Sequence, residues 1–145
     1  MMAANGADRA AVLIEARRWI GTPYQHQASL RGVGADCLGL IRGVWRGVIG
    51  AEPEPLPPYA PHWGRGDPAL ERAVARWFRP GGARALPGQV MLFALQARGP
   101  ARHAAIASGP GRIIHATEAL GVAEMEISDA LRRRIRGIYD FPGRN

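Results

Sequence analysis

Apolar positions recur at helical spacing in two stretches of the N-terminal half. Val12, Leu13, Ala16, Trp19 and Ile20 share one face of a helix spanning Asp8 to Ile20, with Asp8 as its cap and Gly21 as its stop. A turn-rich stretch, Gly21 to Ala35, follows. Asp36 then opens a second helix in which Leu40, Ile41, Val44, Trp45 and Val48 repeat the spacing. Gly39, Gly43 and Gly47 stand four apart inside it. Each costs about 1 kcal/mol against alanine in a helix, so the spacing predicts close packing of another element against them. From Ala51 to Trp63 the pattern breaks: Pro53, Pro55, Pro57, Pro58 and Pro61 exclude regular helix and a central strand, which predicts an extended surface segment. Asp67 and Pro68 supply the cap and first residue of a third helix that runs to about Phe78.

The period changes in the second half. Gln89–Leu95, His103–Ser108, Arg112–Ala116, Val122–Ile127 and Arg136–Phe141 are short apolar runs separated by glycine, proline or polar turns, and they read as strands. Gly109-Pro110-Gly111 forms a hairpin connection, and a short helix or turn occupies Ser128–Arg134. Helices first and strands afterwards predict an α+β fold with the helices on an antiparallel sheet. At 145 residues the chain suits one domain, 1–145, interrupted by the proline-rich insertion at about 51–66.

Composition narrows the functional classes. The net charge is +7, carried by nineteen arginines and no lysine. A basic surface invites nucleic acid, anionic cell wall or acidic partners. The arginines are scattered except for Arg132, Arg133, Arg134 and Arg136, and no zinc-finger spacing or RNA-binding signature accompanies them, which argues against nucleic acid. The longest strongly apolar run, Val90 to Leu95, is far short of the ~20 residues that span a bilayer, so no membrane insertion is expected. Met1 to Arg9 carries charge before any apolar stretch, and the expectation is synthesis in the cytoplasm without a signal peptide.

Cys37 is the single cysteine, which excludes an internal disulfide. It falls at the first turn of the second helix, where free backbone N–H groups and the helix dipole favour thiolate and offer donors to an oxyanion. The alternative is a small buried hydrophobe. His103 opens one strand and His115 closes the next, so folding at Gly109–Gly111 brings the two imidazoles together. A cysteine on a facing helix then completes nucleophile, base and orienter. A zinc site from the same three residues lacks any close ligand pair. His26 and His62 read as surface or core residues.

Gly21-Thr22-Pro23-Tyr24, Asp36-Cys37-Leu38-Gly39-Leu40-Ile41 and Pro87-Gly88-Gln89-Val90-Met91-Leu92-Phe93 follow one another in the chain. Taken together with the two histidine strands, these segments resemble, in order, the motifs of the NlpC family of papain-like cell-wall cysteine peptidases. Arg102-His103-Ala104-Ala105-Ile106 and Arg112-Ile113-Ile114-His115-Ala116 are similar to its histidine strands. The resemblance implies a papain-like fold, Cys37 as nucleophile, His103 as general base and then acid, and His115 as the residue orienting it. It places Tyr24 and Asp36 on the oxyanion and substrate side, and implies no metal or organic cofactor. Gln25-His26-Gln27-Ala28 stand where members usually carry an aromatic and two glycines, and Leu38 replaces a common serine.

The insertion after the cysteine helix most resembles the subgroup carried by phage tails and gene-transfer-agent particles. The expected activity is hydrolysis of peptidoglycan stem peptides at the D-glutamyl–diaminopimelate bond, in the periplasm or cell wall after delivery by such a particle. Tail or baseplate hub proteins are then its partners. The alternatives are a structural tail-tip component with a dispensable site, and an amidase using the same Cys–His chemistry.

Overall fold

The computed structural model describes residues 7–54 and 68–143. Residues 55–67 hold most of the proline-rich segment, His62 and the cap expected at Asp67, all of which lie outside the described residues. Helix α1 is Arg9–Arg18, and the Asp8 side chain accepts from the N–H of Ala10 at 2.9 Å, as its capping role requires. Gly21 ends the region with a φ of 93°, a left-handed conformation that glycine adopts at little cost.

Two-residue strands β1 (Ser29–Leu30) and β2 (Gly34–Ala35) form a small hairpin ahead of helix α2, Cys37–Val48. Asp36 caps α2, its Oδ1 accepting from the Gly39 N–H at 2.7 Å. The helix is buried at Leu38, Leu40, Ile41, Val44 and Trp45. Its glycines meet neighbours as the spacing predicts: Gly39 faces the Ala28 carbonyl, Gly43 the Trp19 ring and Gly47 the Glu15 side chain. Helix α3, Ala69–Trp77, begins one residue later than expected. Pro68 occupies its cap position at ψ 33°, outside helical geometry.

The sheet consists of β3 (Arg79–Pro80), β4 (Val90–Ala94), β5 (Ala101–Gly109), β6 (Arg112–Thr117), β7 (Gly121–Glu126) and, after the one-turn helix α4 (Asp129–Arg132), β8 (Ile135–Asp140). Its order is β3-β8-β4-β5-β6-β7 and every pairing is antiparallel. Pro80 lies on the edge strand, where its missing donor is harmless. The helices cover one face, where Val90, Leu92, Ala104, Ile106 and Ile114 join the core made with Val12, Trp19, Leu40 and Val44. Met91, Phe93, Ala105, Ala107 and Ile113 form a second cluster, against which Leu131 and Ile135 pack. Burial on both faces explains why β4 reads as an unbroken apolar run.

Two arginines of the basic cluster are engaged within the fold. Arg134 donates to the Leu95 carbonyl at 2.6 Å, and Arg136 to the carbonyls of Ala97 and Gly99 at 2.9 and 3.1 Å. They hold the connection that leads into the His103 strand. Among the described residues no helix is long and apolar enough to cross a membrane.

Candidate active site

Cys37 is the first residue of α2, half-buried, and α2 packs on β5 and β6. The β5–β6 register runs from Gly109↔Arg112 to Ile106↔Ile114 and stops there. Beyond that point the N–H of Ala104 donates to the Cys37 sulfur. The cysteine thus meets the strand at the residue next to His103.

Continuing the register places His115 opposite Ala105, so His103 is its diagonal neighbour on the same face. The two rings meet edge to face with centroids 5.0 Å apart, and His103 Nε2 lies 2.8 Å from His115 Nδ1. The other nitrogen of His115, Nε2, lies 3.1 Å from Met125 Sδ. Phe93 flanks His103 at 6.3 Å between ring centroids. The hairpin therefore brings the two histidines together as its geometry requires, and the helix start brings the cysteine to Ala104, next to His103 in the chain.

Tyr24 is half-buried and held by a parallel bridge to Ala35, two residues before Cys37. Burial raises its pKa first, and the nearby Asp36, Cys37 and Glu118 raise it further, so the phenol stays protonated as a donor. Asp36 is 2% exposed. Its Oδ1 caps α2, while Oδ2 accepts from the Gln27 N–H at 2.7 Å and lies 3.8 Å from His26 Nδ1. Gln27 has a φ of 65°, a left-handed conformation unusual outside glycine, at one of the positions where the resemblance expects glycine. The bond to Asp36 holds it there.

The electrostatics depart from the helix-dipole argument. Burial pushes the Cys37 thiol up to about 11, against the N–H groups of Ala104, Leu38 and Cys37 itself, and the Asp36 charge adds to the rise. Burial, then the positive charge on His115, pushes His103 down to about 4. Burial also lowers His115. At neutral pH the Cys37 thiol and both imidazoles are neutral, because removal from water outweighs the local dipole. Among the described residues no group of three or more His, Cys, Asp or Glu is arranged to hold a metal.

Met125 escaped the sequence reading. Alternating with Glu124 and Glu126 on a strand, it reads as packing, and nothing in the pattern marks it as a neighbour of His115. An apolar groove lined by Leu38, Ile41, Trp45, Leu70, Val74 and Phe78 runs between α2 and α3, and neither His103 nor His115 lines it.

No family model matches the chain. The chain is 30% identical over 132 residues to gamma-DL-glutamyl hydrolase of Bacillus subtilis strain 168, covering 90% of this chain and 29% of that protein. It thus spans less than a third of that relative. Among solved structures it superposes on an NlpC/P60 family protein from Bacillus cereus ATCC 10987 with a TM-score of 0.67 at 17% identity, covering 94% of this chain and 41% of that one. The NlpC/p60 domain of the peptidoglycan hydrolase SagA gives 0.64 at 22% identity, covering 92% of this chain and 99% of that domain. These likenesses establish the papain-like NlpC/p60 fold: N-terminal helices packed on an antiparallel sheet.

Proposed function

We propose that this chain is a cysteine peptidase that hydrolyses stem peptides of peptidoglycan, with residues 1–145 forming one NlpC-type domain. One observation carries the reading. The Ala104 N–H reaches the Cys37 sulfur, while the adjacent His103 bonds to His115 at 2.8 Å, the juxtaposition that a nucleophile, a base and its orienter need. In this mechanism His103 takes the thiol proton as sulfur attacks the scissile carbonyl. The N–H groups of Cys37 and Leu38 at the helix start, with the Tyr24 hydroxyl, receive the charge developing on the carbonyl oxygen. His103 then protonates the leaving amine, and water releases the acyl group by the same relay in reverse. His115 orients His103. Asp36 acts by position, since its carboxylate oxygens accept from the Gly39 and Gln27 amides and fix the helix start and the loop after Tyr24.

The bond proposed is D-glutamyl–diaminopimelate. The curated relative is named for gamma-DL-glutamyl bonds, and this stem-peptide bond also runs through the γ-carboxyl of glutamate. The net charge of +7 suits a substrate rich in free carboxylates. Delivery on a phage-tail-like or gene-transfer-agent particle, docked to hub proteins, is proposed from the sequence resemblance and the proline-rich insertion.

The test is mass spectrometry of defined stem peptides and whole sacculi after incubation with the protein. Cleavage at the γ-glutamyl bond that Cys37→Ala and His103→Ala each abolish is the expected result. Undiminished cleavage by Cys37→Ala would overturn the assignment.

A further inference from the structure

We infer that Met125 is a positioning residue of this site: its thioether keeps the His115 proton on Nε2 and so leaves Nδ1 of His103 as the bare nitrogen that accepts the thiol proton. The inference rests on the reading of Cys37 and His103 as nucleophile and base.

The His103–His115 contact alone does not fix its own direction. Two neutral imidazoles can share one hydrogen bond with either ring as donor. Met125 breaks that symmetry. A thioether sulfur has lone pairs and no proton, so it can only accept. At 3.1 Å from Met125 Sδ, His115 Nε2 must carry hydrogen, since two lone pairs facing each other there would repel. A neutral imidazole has one N–H, so His115 Nδ1 is bare and accepts. The proton in the 2.8 Å contact then belongs to His103 Nε2, and His103 Nδ1 is left bare in turn.

The opposite arrangement fails twice. It would set a lone pair of His115 against the sulfur, and it would place the proton of His103 on Nδ1, the nitrogen needed as base. In the arrangement assigned, protonation of His103 at Nδ1 makes Nε2–H a charged donor to a lone pair already aimed at it, which strengthens that bond. The sulfur is fixed in place by the fold. Met125 pairs with Ile113 and His115 with Ala123 in the β6–β7 register, and Met125 packs on the cluster of Phe93, Ala105 and Ile113.

Imidazole 15N spectra of the full chain at neutral pH read the tautomers directly. The expected wild-type result is a protonated Nε2 and a bare Nδ1 in both His103 and His115. Met125→Leu keeps the bulk and removes the acceptor. It is expected to bring in the second His115 tautomer and to lower kcat roughly five- to tenfold, the weight of a single hydrogen bond. KM should stay within about twofold, because no substrate contact is lost. Met125→Gln supplies an amide oxygen and should restore both tautomer and kcat. A proton on Nδ1 of wild-type His115 would overturn the inference, whether or not Met125→Leu folds. So would Met125→Leu with unchanged tautomers and kcat, or a loss of kcat that Met125→Gln does not repair. The tautomer readout does not depend on the nucleophile assignment, which fails separately if Cys37→Ala stays fully active.

Discussion

The opposite shifts of Cys37 and His103 define how the proposed reaction must start. Cys37, raised to about 11, and His103, lowered to about 4, are both neutral at neutral pH, so in the proposed mechanism the proton moves as attack begins. On that mechanism the acid limb of activity belongs to His103, which must be unprotonated to serve as base. kcat/KM is expected to stay level from neutral pH downward and to fall about tenfold per unit below roughly pH 4, with one proton taken up. Alkylation of Cys37 by iodoacetamide should keep rising from pH 7 to 10, because the thiolate fraction grows across that range. An acid limb near 6.5 or an alkylation plateau below pH 8 would contradict this account. The place of Cys37 at a helix start and the meeting of His103 with His115 were legible in the sequence, since a helix start and a hairpin are local features. The direction of the cysteine shift was not, because it arises where α2 seats against β5, a contact between residues far apart in the chain.

At the scale of elements, α2 is the part on which the site depends, because it carries the proposed nucleophile and makes contact with both α1 and β5. Its helical period and its glycines were readable. What each glycine faces was not, and that decides what a substitution does. A Cβ at Gly43 would overlap the ring of Trp19, which is 3% exposed and has nowhere to go. Gly43→Ala should thus destabilise by about 1–3 kcal/mol through overpacking, despite the roughly 1 kcal/mol gained in helix propensity. Gly47 faces the flexible end of Glu15, and Gly47→Ala should be near neutral or stabilising. Urea unfolding midpoints of the two variants separate these outcomes, and equal effects would refute the packing argument. Strands β1, β2 and β3 left no periodic trace because two residues are too few to show alternation. The five longer strands, β4 to β8, were each placed to within two residues.

For the whole molecule, the burial that makes His103 a weak base also ties folding to pH. Unfolded, the imidazole titrates near 6.5; folded, near 4, with His115 shifted in the same direction. Between those values the unfolded chain binds more protons, so stability rises with pH there. The contribution is fully present above about 6.5 and is lost as pH falls through about 4. Glu52, held low by Arg42 and Arg46, and Glu124, held low by Arg17, continue the loss at still lower pH as their carboxylates protonate. The two sources can be separated. Melting temperature at constant ionic strength should decline from pH 7 to 4 in the wild type. His103→Asn, which has no proton to gain, should flatten the upper part of that decline and leave the lower part in place. The same melts show whether the fall in activity near pH 4 is titration of a folded site: at that pH and the assay temperature the wild type must still be folded. A decline of the same shape in wild type and His103→Asn would mean that burial of this ring does not govern acid stability, and would remove the physical basis for assigning the acid limb to it.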